Sequence, residues 1–229
     1  MINLSEDAVR IFHHARDASV ETFDGSVFCG AQSSPYAILP TASVVIGVHF
    51  RAGGAFPFLR IPAEEFHNAR IPLDIIYGAG ARELRERLIA AASPPRKFAI
   101  LEEFLLRRML PARALHGAVL HGLRWLEGNG SPGVTEVVRE TGLSERRFSR
   151  VFSEQVGMTP KLFQRVRRFQ RTIATLPRRT EIDWASAALD AGYYDQAHFI
   201  HDFRAFSSVT LGAFVAARIG QPNHLPLSG

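Results

Sequence analysis

Residues 134–157 are VTEVVRETGLSERRFSRVFSEQVG, and residues 184–207 are WASAALDAGYYDQAHFIHDFRAFS. Both segments follow one plan, in which a short apolar-patterned helix is followed by a glycine, a capping residue and a second helix. Gly142 and Gly192 stand where the first helix ends and a tight turn begins, a position that tolerates positive φ. The pattern predicts two helix-turn-helix motifs, a unit whose second helix can enter a DNA major groove.

Capping residues support these boundaries and predict a further helix between the motifs. Ser144 and Asp195 can each accept a hydrogen bond from the first free N–H groups of the second helix of their motif. Thr159 is a suitable cap for a helix over residues 160–176, and Pro160 suits its first position. That helix would be about 25 Å long. It carries an apolar stripe of Leu162, Phe163, Val166, Phe169, Ile173 and Leu176. Such a rod could hold two reading helices roughly one DNA turn, about 34 Å, apart.

The positive charge of the chain is concentrated in this region. Among 229 residues the net charge is +5, and residues 1–111 contribute 12 basic and 12 acidic side chains, which cancel. Residues 146–179 hold ten basic side chains, nine of them arginine, and one acid, Glu154. Such an excess repels itself unless an anionic partner lies nearby, and arginine suits phosphate oxygens and guanine edges. A solvated helix face is the alternative interpretation.

The segment from about Leu115 to Phe214 resembles the DNA-binding domain of the AraC/XylS family of bacterial transcription regulators. The blocks that carry the resemblance are GLSERRFSRVF (142–152), VGMTPKLF (156–163) and AGYYDQAHFIHDFRAF (191–206). The resemblance implies an all-α domain of seven helices, the first of them in HGAVLHGLRWLEGN (116–129).

Three positions depart from the family pattern. His201 stands where the family has arginine or lysine, and a neutral imidazole would weaken a phosphate or base contact. Ser208 replaces a glycine and is expected to adopt a left-handed backbone conformation at some strain. Leu211 replaces a proline.

The resemblance also implies which side chains contact DNA. The base-reading residues would be Glu145, Arg146, Ser149 and Arg150 in the first motif, and Gln196, Ala197, His198, Ile200 and His201 in the second. The phosphate contacts would be Arg147, Lys161, Arg165, Arg167, Arg168, Arg171 and Arg204. The residue pattern agrees for the first motif, because Phe148, Val151 and Phe152 should pack inward and leave the arginines outside. Arg146 and Arg150 are four residues apart, and each could contact a guanine bidentately or be a solvated charge.

The first half of the chain has a different pattern. Strand-like segments occur at residues 8–14, 26–30, 36–39 and 43–50, and Pro-punctuated helical pieces follow Gly53–Gly54. Residues 81–93 and 94–110 have amphipathic helix patterns, with Phe98, Leu101 and Leu105 expected on one packed face. We therefore predict an α+β chain. Its four parts would be a β-rich sensor or dimerisation domain (1–78), a helical linker (79–111), the DNA-binding domain (112–219) and a flexible tail (220–229).

Residues 47–78, GVHFRAGGAFPFLRIPAEEFHNARIPLDIIYG, resemble a segment that precedes the helical linker in AraC-type regulators with a cupin-like N-terminal domain. The sheet of those relatives has further strands ahead of the position of Met1. The first part is therefore expected to be a partial cupin-like antiparallel β domain, and the chain is expected to begin partway through that domain.

Other candidate sites in the first half are weak. The histidines that could bind metal in a cupin-like domain are His13, His14, His49 and His67, but their spacing lacks the pattern of a metal site, so no metal or cofactor is predicted. Cys29 lies in a strand pattern and is expected to be an inert buried residue, not a thiol sensor. The aromatic residues Phe50, Phe56, Phe58 and Phe66 are expected to be core, with an effector pocket as the alternative. No segment is apolar over the length of a membrane helix, and the N-terminus lacks a secretory pattern.

These observations predict a sequence-specific DNA-binding transcription regulator that reads two successive major grooves and is not an enzyme. The resemblance implies an activator that contacts RNA polymerase in the bacterial cytoplasm, associated with the nucleoid. A small-molecule effector and a homodimer through residues 81–110 remain open. Two alternatives also remain open: a cupin-type enzyme fused to a DNA-binding domain, and an interaction module with weakened DNA reading.

Overall fold

A computed structural model describes residues 1–12, 20–38, 44–128, 133–175 and 183–217. Short antiparallel strands occupy the first part of the chain, and helices occupy the rest. The predicted α+β class is confirmed.

Seven short strands form three small antiparallel sheets within the described residues. The strands are β1 (Ile2–Asn3), β2 (Val9–Phe12), β3 (Val20–Phe23), β4 (Val27–Cys29), β5 (Ala37–Ile38), β6 (Val45–Ile46) and β7 (Arg70–Pro72). β2 lies between β3 and β5, β1 pairs with β6, and β4 pairs with β7. In β2 the side chains alternate, so that Val9 and Ile11 are buried while Arg10 is exposed. These two residues pack with Phe23 and Val27 in a small core.

The strands match the sequence prediction in part. Each of the four predicted segments contains a strand, while residues 13, 14, 39 and 43 fall outside the described part of the chain. The prediction for residues 43–50 is wrong in extent, because within the described residues 44–50 only Val45–Ile46 form a strand. Their partner β1 is itself two residues long, so the ladder has no further pairs.

The middle of the chain contains 3-10 turns at Phe56–Phe58 and Ala63–Phe66, followed by helices α1 (Leu73–Tyr77), α2 (Ala79–Ala90) and α3 (Pro94–Leu106). Both predicted linker helices are confirmed with shorter C-terminal ends. The expectation that Phe98 packs is wrong, since 59% of its surface is exposed. The buried face of α3 is instead formed by Ile100, Leu101 and Phe104, which pack against α2 and the β1–β6 pair.

Seven helices follow in the described C-terminal part, as the family resemblance implied. They are α4 (Gly117–Leu126), α5 (Val134–Thr141), α6 (Glu145–Val156), α7 (Pro160–Thr175), α8 (Trp184–Asp190), α9 (Gln196–Ser207) and α10 (Leu211–Ala217). Among the described helices, none has the length and apolar character needed to cross a membrane.

Helix α7 belongs to two hydrophobic cores at once. Phe163 and Val166 pack in a cluster with α4, α5 and α6, which we call the first unit. Phe169 and Ile173 pack in a cluster with α8, α9 and α10, which we call the second unit. The predicted apolar stripe of this helix is therefore confirmed up to Ile173, and Leu176 lies outside the described residues. One continuous helix holds both units.

The N-terminal part packs against the C-terminal end of α6. Gly157, which ends α6 with a φ of 92°, lies so close to the 3-10 turn at Ala63–Phe66 that a Cβ there would be 3.2 Å from the Ala63 carbonyl oxygen. A Cβ would also lie 3.0 Å from the Ala31 Cβ. Because this contact lies at the C-terminal end of α6, the described N-terminal part of the chain does not cover the N-terminal end of α6.

Candidate nucleic-acid interface

The turn of the first motif has the predicted geometry. Gly142 ends α5 in a left-handed conformation with a φ of 68°. The Ser144 hydroxyl accepts a hydrogen bond of 3.3 Å from the Arg147 backbone N–H, so α6 starts at Glu145. Together the glycine and the cap reverse the chain in three residues and fix the direction of α6.

Helix α6 has one buried and one charged face. Phe148 and Phe152 are fully buried, and Val151 is partly buried against the same core. On the other side Glu145, Arg146, Arg147 and Arg150 are exposed and Ser149 is half-buried. The three arginine side chains form no hydrogen bond or ion pair with any residue that the structure describes. The predicted orientation of the helix is confirmed, and its arginines are available to an anionic partner.

The second motif repeats this construction with acidic caps. Asp183 caps α8 by accepting hydrogen bonds from Ala185 (3.1 Å) and Ser186 (3.2 Å). Gly192 has a φ of 78°. The Asp195 carboxylate then accepts from the His198 N–H at 2.7 Å, and α9 begins at Gln196.

The outer face of α9 carries far less charge than that of α6. Gln196, Ala197, His201 and Arg204 are exposed, while His198 and Ile200 are half-buried. One shallow open depression of mainly apolar surface runs along this face, lined by Ala197, Ile200, His201, Arg204 and Ala205. The sequence-predicted residues of the second motif are thus brought together on one surface, except His198, which faces α7.

A buried carboxylate on α9 was not predicted from the sequence. Asp202 is fully buried, and its Oδ1 accepts hydrogen bonds from Arg165 at 2.6 and 3.2 Å. Arg168 donates to Oδ2 at 3.2 Å. Burial alone would raise the pKa of Asp202, but hydrogen bonds and charge from both arginines outweigh it and hold that pKa below its ordinary value. We call these three residues the α7–α9 clamp.

Arg168 also ties α7 to the turn of the second motif. Its guanidinium donates to the Gly192 carbonyl oxygen at 3.3 Å and contacts the His198 ring nitrogen Nε2 at 3.2 Å. It lies over the Tyr193 ring, 4.1 Å from the ring centre. Burial, with the nearby Asp202 carboxylate, raises the pKa of Tyr193 to about 12. The guanidinium therefore fixes the turn as well as the helix that follows it.

The predicted phosphate contacts fall into two groups. Arg165 and Arg168 belong to the clamp, Arg167 donates to Gln170 at 3.0 Å, and Arg171 donates to the carbonyl oxygens of Glu127 and Gly128. By contrast, the side chains of Arg147, Lys161 and Arg204 are exposed and contact no polar partner among the described residues. Part of the local charge excess is thus neutralised inside the molecule, and contact with phosphate stays a prediction for all seven.

Ser208 adopts the predicted left-handed conformation, with a φ of 57°. It ends α9 while its N–H donates to the Arg204 carbonyl oxygen at 3.0 Å. Leu211 begins α10, and the Thr210 hydroxyl caps that helix by accepting from the Ala213 N–H at 3.2 Å.

The other candidate residues are dispersed. In the described part of the chain, no three His, Cys, Asp or Glu side chains are placed to hold a metal ion, and His13 and His14 lie outside that part. His67 lies 3.0 Å from the Ser33 hydroxyl, while His49 is exposed. Cys29 is half-buried, and burial raises the pKa of its thiol.

The predicted aromatic core in this part is confirmed for two of its members. Phe56 and Phe66 are buried, and Phe50 packs on Phe58 with ring centres 5.4 Å apart. Whether these rings also border an effector pocket stays a prediction.

Comparison with known protein families gives a match in each part of the chain. A family model described as a helix-turn-helix domain matches residues 137–217, and a model described as a domain of unknown function (DUF6597) matches residues 3–72. No curated protein and no solved structure gives a significant match. The matched C-terminal segment spans both motifs and the helix α7 that joins them. The sequence-based recognition is confirmed for this segment: residues 137–217 form a helix-turn-helix domain of the AraC type, which supports DNA-binding transcription regulation.

Proposed function

We propose that this regulator binds double-stranded DNA with both motifs at once, placing α6 and α9 in successive major grooves. The observation that carries the proposal is the shared helix α7, whose Phe163 and Val166 pack in the first unit while Phe169 and Ile173 pack in the second. Its 16 residues span about 24 Å. A rigid connection of this length supports simultaneous contact with one face of the duplex, since grooves repeat every 34 Å or so.

Base reading by the first unit is the best supported part. The exposed arginines at positions 146 and 150 share a helix face with Ser149 and have no internal partner among the described residues. A guanidinium can donate two parallel hydrogen bonds to guanine O6 and N7. Glu145 lies in the first turn of α6 and would accept from a cytosine amino group.

Phosphate contact is assigned to the cations that have no polar partner in the described part of the chain. Arg147, Lys161 and Arg204 are exposed, and the N-termini of both reading helices offer free N–H groups as well. The linker arginines at 165 and 168 act first as structural groups of the α7–α9 clamp. Arg167 and Arg171 are half-buried and could add a phosphate contact to their internal hydrogen bonds.

The remaining parts of the chain are proposed to regulate this binding. Residues 1–78 would sense a small molecule or mediate dimerisation, 79–111 would link that domain to the DNA-binding domain at 112–219, and 220–229 would form a tail. The direct packing of Ala63 on the end of α6 supports communication between the β region and the first reading helix. Activation through RNA polymerase is what the family resemblance implies.

Selection of bound fragments from genomic DNA, followed by gel-shift titration, tests the proposal. Arg150→Ala should lower the affinity for the selected site by about 1–3 kcal/mol and relax the preference at one base position. The matched control is Arg82→Ala, which removes an exposed arginine of α2. An Arg150→Ala protein that binds the selected site as tightly as the Arg82→Ala control would show that this face of α6 does not read DNA.

A further inference from the structure

The two reading helices present different chemistry to a ligand. Helix α6 exposes arginines at positions 146, 147 and 150. On α9 the first two exposed positions are Gln196 and Ala197, and the next turn offers Ile200 and His201. The side chains that line the depression on α9 include two alanines and one isoleucine, with Arg204 as the only arginine or lysine among them.

The arginines of the clamp belong to α7 and do not lie on the outer face of α9. Arg165 and Arg168 approach α9 from α7, but both guanidinium groups donate to the buried carboxylate of Asp202. Both guanidinium groups are therefore held against Asp202. The first two turns of α9 itself expose no arginine or lysine, and Arg204 follows in the third turn.

One apolar group distinguishes thymine from the other bases in the major groove. Thymine alone carries a C5 methyl group, which alanine and aliphatic side chains contact favourably. Glutamine pairs bidentately with N6 and N7 of adenine. A helix with Gln196, Ala197 and Ile200 at its outer face therefore complements A·T pairs, whereas one with Arg146 and Arg150 complements G·C pairs.

We infer that the two halves of the binding site differ in composition: guanines face α6, and thymine methyl groups, read by Ala197 and Ile200, face α9. Gln196 would bind an adenine in the same half. The inference rests on the proposed two-groove binding and names the bases that the second groove must contain. It makes Ala197 and Ile200 specificity-determining residues.

The experiment starts from full-length protein and a randomised DNA duplex library. The bound sequences define the site, and a second selection with Arg150→Ala identifies the half in which base preference is lost, which is the half that faces α6. Each thymine of the other half is then replaced by uracil, which removes the methyl group and keeps every hydrogen-bonding atom.

Uracil in the half that faces α9 should weaken binding about fourfold per methyl contact, given the transfer free energy of one methyl group. Ile200→Ala should bind more weakly and lose most of the difference between thymine and uracil. Ile75→Ala, which removes an equally large side chain that is 73% exposed on α1, should keep it. Replacing guanine by 7-deazaguanine, which lacks the N7 acceptor, should weaken binding only in the half that faces α6.

The outcomes separate the inference from the proposed function. Failure to select any sequence would overturn two-groove reading and the inference with it. A selected site in two halves that tolerates uracil throughout, or that loses affinity with uracil only in the half facing α6, would leave the proposed function standing and overturn the inference. Retention of the thymine preference by Ile200→Ala and Ala197→Gly together would overturn the assignment to these side chains.

Discussion

In the first unit the arginines of the reading helix α6 face outward with no partner among the residues that the structure describes, whereas in the second unit the arginines nearest to α9 donate to its buried Asp202. Both turns contain a left-handed glycine and a capping side chain, with one residue between them in the first motif and two in the second. The arginines nevertheless have different roles in the two units. In one unit positive charge is left for a ligand, and in the other it orients a helix. An arginine close to a helix-turn-helix motif is thus not by default a DNA contact.

The largest effect is expected from removing the carboxylate of the clamp. Asp202→Ala leaves the guanidinium groups of Arg165 and Arg168 without their shared acceptor. Breaking a fully buried pair costs 3–5 kcal/mol, but these two side chains remain 34% and 20% exposed and can be partly rehydrated, so we expect about 2–3 kcal/mol. The free energy of unfolding from urea titration measures this loss.

A matched control tests whether the loss of stability is specific to the clamp or follows from removing any acidic side chain. Asp190→Ala removes an exposed carboxylate of the same unit and should change the free energy of unfolding by less than about 0.5 kcal/mol. DNA footprints add a second readout: Asp202→Ala should lose protection of the half that faces α9 before that of the half that faces α6. Equal stability of the two variants would mean that Asp202 does not hold α9 in place.

The sequence predicted the features of this site that depend on residues close together in the chain. The turns followed from Gly142, Ser144 and Asp195, because a cap and a left-handed glycine act within a few residues. The clamp joins residues 37 positions apart, and no local pattern pairs them. One signal was present: Asp202 shares the helical stripe of Phe199 and Phe203, and a charge on a buried face requires a partner.

The β region shows the same limit. Strand β3 pairs along its whole length with β2, yet Val20–Phe23 was not predicted as a strand, nor were the partners β1 and β7. Strands of two to four residues gain their stability from cross-strand neighbours, which periodicity within one segment does not show. The packing of Phe98 was predicted wrongly for a related reason. Helix α3 is apolar on more than one side, and only the packing of α3 against α2 selects the face that is buried.

Acid should remove the stabilisation that Asp202 gives to the second unit. The pKa of Asp202 is depressed in the folded protein, so its contribution is complete above the unfolded value of about 3.9 and is lost as the pH falls through the lower folded value. Asp202→Asn should be less stable than the wild type at neutral pH, and the gap should narrow below about pH 4. Urea titrations at a series of pH values measure it, and a gap that stays constant down to pH 2 would argue against an ionised Asp202.

The salt dependence of DNA affinity distinguishes cations that contact phosphate from cations that stabilise the fold. Lys161→Ala removes an exposed cation without an internal partner in the described structure, and the slope of log affinity against log salt should fall by about 0.9. Arg165→Ala should chiefly lower the free energy of unfolding and leave that slope nearly unchanged. A larger slope change for Arg165→Ala than for Lys161→Ala would reverse the division between the two groups.

The smallest effect concerns the end of α9. Ser208 has a φ of 57°, a conformation that costs a residue with a Cβ about 1–2 kcal/mol. Ser208→Gly should remove this strain. Glycine also gives the unfolded chain more conformational freedom, which offsets part of the gain, so a net stabilisation of about 0.5–1 kcal/mol is expected in thermal or urea unfolding.

The neighbouring serine provides the matched control, because the same substitution should act there with the opposite sign. Ser207 is the last residue of α9, and its hydroxyl donates to the Phe203 carbonyl oxygen at 2.6 Å. Ser207→Gly loses that hydrogen bond and places glycine in a helix, so it should destabilise the protein by about 1 kcal/mol. Since both variants remove the same atoms one residue apart, a common effect of serine removal cannot produce opposite signs. If both variants are destabilised, Ser208 is not strained, and the departure from the family's glycine carries no cost at this turn.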